Sequence, residues 1–149
     1  MIKGKVLIIL SKYYEEISEN LLNSAVNFLE EKSILFDIVE VPGALEIPQV
    51  LNLQTNISKN NSLIYEGYIA LGCVIKGETY HFEIVSNETN RCLMNVALKY
   101  SCPLGNGIIT AFDYDQALKR SREKGSEAAS ACYELIKIKN YNNKVDKID

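Results

Sequence analysis

The chain has one histidine, His81, and it falls in the segment GCVIKGETYHFEIV (Gly72–Val85), where an apolar run ends in glycines and an amphipathic stretch begins. An imidazole titrates near neutrality, so it can take and give protons under ordinary conditions. A helix that opens at the same place offers free backbone N–H groups and the positive end of its dipole, which together bind phosphate and other anions. The segment therefore puts a proton-transfer group beside an anion site. Gly72–Thr79 reads G-x-x-x-x-G-E-T, one residue away from a nucleotide-phosphate loop. Glu78 stands where that loop needs its lysine, which disfavours nucleoside triphosphate hydrolysis.

Two further turns carry usable groups: Ser11-Lys12-Tyr13, and Pro42-Gly43-Ala44-Leu45-Glu46. With the His81 turn they supply an aromatic face, a carboxylate, backbone amides and an imidazole. That set suits a flat heterocycle stacked on Tyr13, with a hydroxylated arm bonded to Glu46. Each residue also has a plainer reading. A lone histidine at a helix start is more often a surface or capping residue, Glu46 complements a helix dipole, and Tyr13 rests on the core. Cys73 lies in an apolar run, where a thiol packs far more often than it reacts.

The elements that must position these groups follow from hydrophobic periodicity. Short β-branched runs at Lys5–Leu10, Leu35–Val41, Tyr68–Val74 and Gly107–Phe112 read as strands. They alternate with amphipathic stretches at Glu16–Lys32, Leu45–Ile57 and Tyr80–Tyr100, then a short helix at Asp115–Arg122 and a last one at Ser126–Ile138, separated by Gly125. Ile17, Leu21, Leu22, Ala25, Phe28 and Leu29 share one face of the first helix. Phe82, Val85, Leu93, Val96 and Tyr100 face inward on the third, with Thr79 as its N-cap. Pro48 falls in the first turns of its helix, where proline is tolerated. Asn60-Asn61-Ser62 marks a loop, and the polar run from Asn140 reads as a flexible tail. Strands alternating with helices predict a single-domain α/β fold of the flavodoxin-like kind, a three-layer sandwich with a four-stranded parallel sheet flanked by helices. In such sheets ligands gather beyond the carboxyl ends of the strands, where all three turns lie.

Composition narrows the function. The 149 residues, 47% hydrophobic and 23% charged, suit one domain with a real core. A net charge of -3 without a basic stripe argues against nucleic acid as a partner. Four cysteines without C-x-x-C spacing and a single histidine make a zinc site improbable and fit a reducing compartment. The apolar run in MIKGKVLIIL is too short for a secretory signal and no stretch reaches membrane-spanning length, so cytoplasmic residence away from any membrane is expected.

VPGALEIP (Val41–Pro48) and ALGCVIKGETYHFEIV (Ala70–Val85) closely resemble the lumazine synthases of riboflavin biosynthesis. The resemblance continues in order through NGIIT (Asn106–Thr110), DQALKR (Asp115–Arg120) and KGSEAA (Lys124–Ala129), so it spans nearly the whole chain. It implies a condensation, free of metal and cofactor, of 5-amino-6-(D-ribitylamino)uracil with 3,4-dihydroxy-2-butanone 4-phosphate, giving 6,7-dimethyl-8-ribityllumazine, phosphate and water. It implies His81 as the proton-transfer residue, Tyr13 stacked on the pyrimidine, and Glu46 with the backbone of Ala44 and Leu45 on the ribityl hydroxyls. Cys73, Val74, Ile75 and Asn106 would line the base pocket. Arg120, with amides near Glu78 and Thr79, would hold the phosphate, and Lys124 would lie near the heterocycle, Arg122 being the alternative cation. It further implies a homo-oligomer, a pentamer or a multiple of it, with each pocket between two subunits. On the same scaffold, a non-catalytic flavin- or lumazine-binding or shell protein and an enzyme that dismutates two lumazines are the competing readings; His81 and Arg120 favour the synthase.

Overall fold

The structure is a computed structural model that describes residues 2–58 and 65–147; the expected loop at Asn60–Ser62 lies outside them. Four strands, β1 (Lys5–Ser11), β2 (Leu35–Val41), β3 (Tyr65–Ile75) and β4 (Leu104–Ala111), form one parallel sheet in the order β2-β1-β3-β4. The helices are α1 (Glu15–Glu31), α2 (Ile47–Ser58), α3 (His81–Tyr100) and α4 (Tyr114–Val145), and a 3-10 turn at Ala44–Glu46 leads into α2. This is the three-layer α/β sandwich that the alternating pattern predicts.

The layering follows from side-chain alternation along β1, buried from Val6 onward on both faces. Ile8 and Leu10 pack with Leu21, Ala25 and Leu29 of α1 and Ala129 and Ile136 of α4. Leu7 and Ile9 pack on the other side with Ile47 and Leu51 of α2 and Leu93 and Ala97 of α3. Every residue assigned to the inner face of α1 is buried or partly buried there. Val85 and Leu93 are buried on α3, with Phe82, Val96 and Tyr100 partly so. Because β1 connects to β2 on one side while β3 pairs on the other, the chain changes direction between β1 and β3. A crevice opens beyond their carboxyl ends.

Several expectations are corrected. β3 begins three residues earlier than read, and β4 runs from Leu104, so Asn106 lies inside that strand, opposite Ala70, rather than before it. Gly105 and Gly107 masked this start. They serve close approach rather than a turn: a Cβ on Gly105 would lie 1.9 Å from the Ala128 carbonyl oxygen.

The two helices expected on either side of Gly125 are one helix of 32 residues. Gly125 is where α1 crosses α4, and a Cβ there would meet the Leu21 carbonyl oxygen at 2.0 Å. The Ser126 N–H donates to Ser24 Oγ at 3.2 Å, and Asn20 Nδ2 donates to Ser121 Oγ at 3.0 Å, so the crossing is also pinned by polar contacts. Asp113 caps the helix, its Oδ1 accepting from the Gln116 N–H at 2.8 Å. At its far end the polar run from Asn140 stays helical to Val145, carried by the rigid helix before it although its side chains from Tyr141 are exposed. Among the described residues no helix is long and apolar enough to cross a membrane.

Gly125→Ala tests the crossing. A backbone carbonyl cannot step aside as a side chain can, so overpacking should outweigh the ~1 kcal/mol that alanine returns in helix propensity, for a net loss of about 1–3 kcal/mol. An unchanged urea midpoint would contradict that packing.

Candidate active site

The three turns beyond β1, β2 and β3 enclose a hollow of about 380 Å³ lined by Tyr13, Ala44, Leu45, Glu46, Cys73, Val74, Ile75, Thr79 and His81. His81 is the first residue of α3, which sets its imidazole at the amino end of that helix. Tyr80, not Thr79, occupies the N-cap position and places no side-chain acceptor over the first turn. Thr79 Oγ1 instead accepts from the His81 N–H at 3.4 Å. Glu78 is exposed and is not among the residues lining the hollow.

Aromatic packing builds one wall. Tyr13 is 74% exposed at the rim. Its ring meets Tyr14 edge-on with centroids 5.0 Å apart, and Tyr14 in turn meets Tyr114 at 6.2 Å. Glu46 faces in from the 3-10 turn. A Cβ on Gly43 would stand 3.2 Å from Glu46 Oε2, so that glycine keeps the approach to the carboxylate open. In the β3–α3 turn, Lys76 Nζ lies 3.7 Å from Glu83 Oε1 and 5.7 Å from the centroid of the Phe112 ring, tying that turn to the end of β4. At the floor, burial pushes the Cys73 thiol up to about 12, so it is a neutral packing group.

Arg120 and Lys124 are elsewhere. They line a second hollow of about 430 Å³ with Thr110, Glu123 and Glu127, between α4 and the edge strand β4. Arg120 Nη1 donates to the Gln116 carbonyl at 3.3 Å, and Lys124 Nζ is 3.8 Å from Glu127 Oε2. Arg122 lines a neighbouring recess with Asp113 and Asp115, and Arg120 borders that recess as well as the second hollow, so both alternative cations lie beside Arg120. Asn106 lines neither hollow. Its Nδ2 donates to Asn90 Oδ1 at 2.7 Å and its Oδ1 accepts from the Ile108 N–H at 2.9 Å. Asn90 Nδ2 donates to the Ser86 carbonyl at 2.8 Å, so both ends of the Asn106 carboxamide are held within the chain.

Sequence reasoning assigned no site role to Tyr14, Phe82 and Val85, which complete the first hollow together with Gly43 and Gly77 of the expected turns. Phe82 and Val85 were legible as an inward pair on the helix that His81 opens, and only their nearness to the crevice was not. Asn90 carried no signal, since its meaning depends on α3 lying beside β4.

Fold and site together define a class: an α/β protein whose small-molecule site lies at the carboxyl edge of a parallel sheet, with an imidazole and a carboxylate among its lining groups. Comparison with known proteins narrows it. The family described as 6,7-dimethyl-8-ribityllumazine synthase matches residues 3–140. The chain is 43% identical over 143 residues to the 6,7-dimethyl-8-ribityllumazine synthase of Agrobacterium fabrum, covering 93% of this chain and 97% of that one. It is 44% identical over 140 residues to the enzyme of that name from Afipia carboxidovorans, covering 91% and 86% of the two chains. With its counterpart from Bartonella henselae it shares 44% over 141 residues, 92% and 89% of the two chains. This chain belongs to the 6,7-dimethyl-8-ribityllumazine synthase family.

The state of Cys73 is open to measurement. Iodoacetamide at pH 8 should leave it unmodified in the folded protein and label it after denaturation, as read by mass spectrometry. Labelling in the native state as fast as that of Cys92 would contradict a buried neutral thiol.

Proposed function

We infer that this chain condenses 5-amino-6-(D-ribitylamino)uracil with 3,4-dihydroxy-2-butanone 4-phosphate to give 6,7-dimethyl-8-ribityllumazine, phosphate and water. The observation that carries this is the first hollow, where Tyr13, Glu46 and His81 face one space at the amino end of α3. The pyrimidine lies against Tyr13 above Val74 and Ile75. Glu46 and the backbone of Ala44 and Leu45 take the ribityl hydroxyls.

The 5-amino nitrogen attacks the ketone and water leaves to form an imine. A proton then comes off carbon as phosphate departs, the resulting enol becomes a ketone, and the ribityl-bearing nitrogen attacks that carbonyl, closing the ring as a second water leaves. Each step moves a proton, and His81, which lines the hollow, is the group whose ring nitrogens can accept and return it. Such chemistry requires neither metal nor redox cofactor, and we propose that the enzyme uses none. Orienting two substrates supplies much of the acceleration, since effective molarities of well-placed partners reach roughly 10^5 M or more.

The phosphate needs a cation, and Arg120 lies in the second hollow. We propose that the site is completed between two copies, one giving Tyr13, Glu46 and His81 and the next giving Asn106, Arg120 and Lys124, in a pentamer or a multiple of it. Asn106, its side chain engaged, offers the backbone of the open edge of β4. Four free thiols support a cytoplasmic setting.

Purified protein given both substrates should produce lumazine fluorescence and phosphate together. Product no faster than the uncatalysed rate would favour the non-catalytic binding reading. His81→Ala should slow turnover by about 10-fold to 100-fold with binding largely kept. Arg120→Ala should raise the KM for the phosphate substrate by about tenfold or more, because a charge-assisted contact disappears, and an unchanged KM would remove Arg120 from the site. Sedimentation at working concentration should show an oligomer; a fully active monomer is incompatible with a shared site.

A further inference from the structure

We propose that Asn90 is a positioning residue: through Asn106 it holds the open margin of β4, so that the backbone N–H and C=O of Asn106 meet the pyrimidine of the amine substrate in a neighbouring copy. This rests on the shared site proposed above and names what sets its heterocycle side. Asn90 lines neither hollow, yet two hydrogen bonds connect it to the second. Its Oδ1 accepts from Asn106 Nδ2 at 2.7 Å. Asn106 Oδ1 in turn accepts at 2.9 Å from the N–H of Ile108, which lines that hollow with Arg120 and Lys124.

The direction of these groups follows from the sheet. Backbone groups two residues apart on a strand point the same way, and those of the residue between them point the opposite way. β4 is a margin of the sheet, bonded to β3 on one side. The carbonyls of Pro103 and Ala111 accept from the N–H groups of Tyr68 and Lys76, at 2.9 Å each, so the odd-numbered residues of this stretch bond to β3. Asn106 and Ile108 therefore turn their backbone groups to the open margin.

Every second residue of such a margin presents a bare N–H and C=O. The Asn106 side chain closes one of these donors, that of Ile108, and leaves the backbone pair of Asn106 itself uncovered. A uracil ring has an imide N–H beside carbonyl oxygens, the donor and acceptor that a backbone C=O and N–H complement. Which donor is closed depends on the Asn106 rotamer, and Asn90 removes that freedom. Its Nδ2 donates to the Ser86 carbonyl at 2.8 Å, which fixes the end of the carboxamide that faces Asn106. Among the described residues no other hydrogen bond between side chains joins α3 to β4, so no second tie replaces this one. The ring-binding margin and the cations of the second hollow are then neighbours on one surface, as two substrates that must react together require.

Steady-state kinetics, fluorescence titration of the lumazine product and sedimentation test this on Asn90→Leu, Asn90→Asp and Asn106→Ala. Asn90→Leu keeps the volume and loses the acceptor. It should raise the KM for 5-amino-6-(D-ribitylamino)uracil and weaken product binding by about fivefold to tenfold, with kcat, the KM for the phosphate substrate and the sedimenting mass unchanged. Asn90→Asp keeps an oxygen toward Asn106 and should recover most of that loss. Asn106→Ala, alone or combined with Asn90→Leu, should match Asn90→Leu, because each cuts the same linkage. An unchanged pyrimidine KM in Asn90→Leu would overturn the proposal. So would an Asn90→Asp no better than Asn90→Leu, additive losses in the combined variant, a rise shared equally by both substrates, which marks a packing residue, or a lower mass, which marks a contact between copies. All of these leave the reaction standing, whereas a wild type without lumazine above the uncatalysed rate removes the reaction itself.

Discussion

Burial of β1 and β3 from both sides is the constraint on which the rest of the molecule depends. Ile8, Ile9, Leu10, Ile69, Ala70 and Leu71 have no exposed surface, so the middle of the sheet has no place for a charged or hydrated group. Polar function is thereby driven to the strand ends. Only the carboxyl ends offer diverging turns together with the amino end of a helix, and that is where Tyr13, Glu46 and His81 are found. The same dry interior keeps Cys73 protonated, which separates a residue that shapes the hollow from those with chemistry to perform.

Close approach of helix to sheet, and of helix to helix, sets the second half of the architecture. Gly105 admits the Ala128 carbonyl and Gly125 admits the Leu21 carbonyl, so α4 lies flat on β4 and against α1 without a break. One rigid helix then fixes Arg120 and Lys124 relative to the core while presenting them outward, beside the edge strand rather than over the crevice. A cation held away from the imidazole within one chain makes sense where the next copy supplies the partner half. In the proposed reaction the phosphate and the proton relay would then be handled by different subunits.

Most of the fold was legible because the signals were local. An unbroken apolar run announced β1, alternating apolar residues stopped by Pro42-Gly43 announced β2, and the stripe from Ile17 to Leu29 announced α1. Errors gathered at glycine. In a sequence Gly105, Gly107 and Gly125 look like punctuation, and only the packing shows that they are points where backbones touch. The polar stretch after Asn140 failed for a related reason: an exposed helical extension needs no apolar face when the helix before it is already anchored. The residues of the first hollow were readable because three contiguous turns carry them, whereas the Asn90–Asn106 pairing joins α3 to β4 and left no periodic trace.

The amino-acid sequence alone determined the inventory and its order: four apolar strands, helices between them, an imidazole at the start of the third long helix, a carboxylate after the second strand and cations after the fourth. Family membership was readable at the same level, since five ordered motifs need no coordinates. Tertiary structure decided which of these groups share a space. It put Tyr13, Glu46 and His81 in one hollow and Arg120 and Lys124 in another, and turned a glycine from a helix break into a helix crossing. The reason is physical: residue type and periodicity act over a few positions along the chain, whereas the meeting of side chains depends on how layers stack and where two backbones can touch.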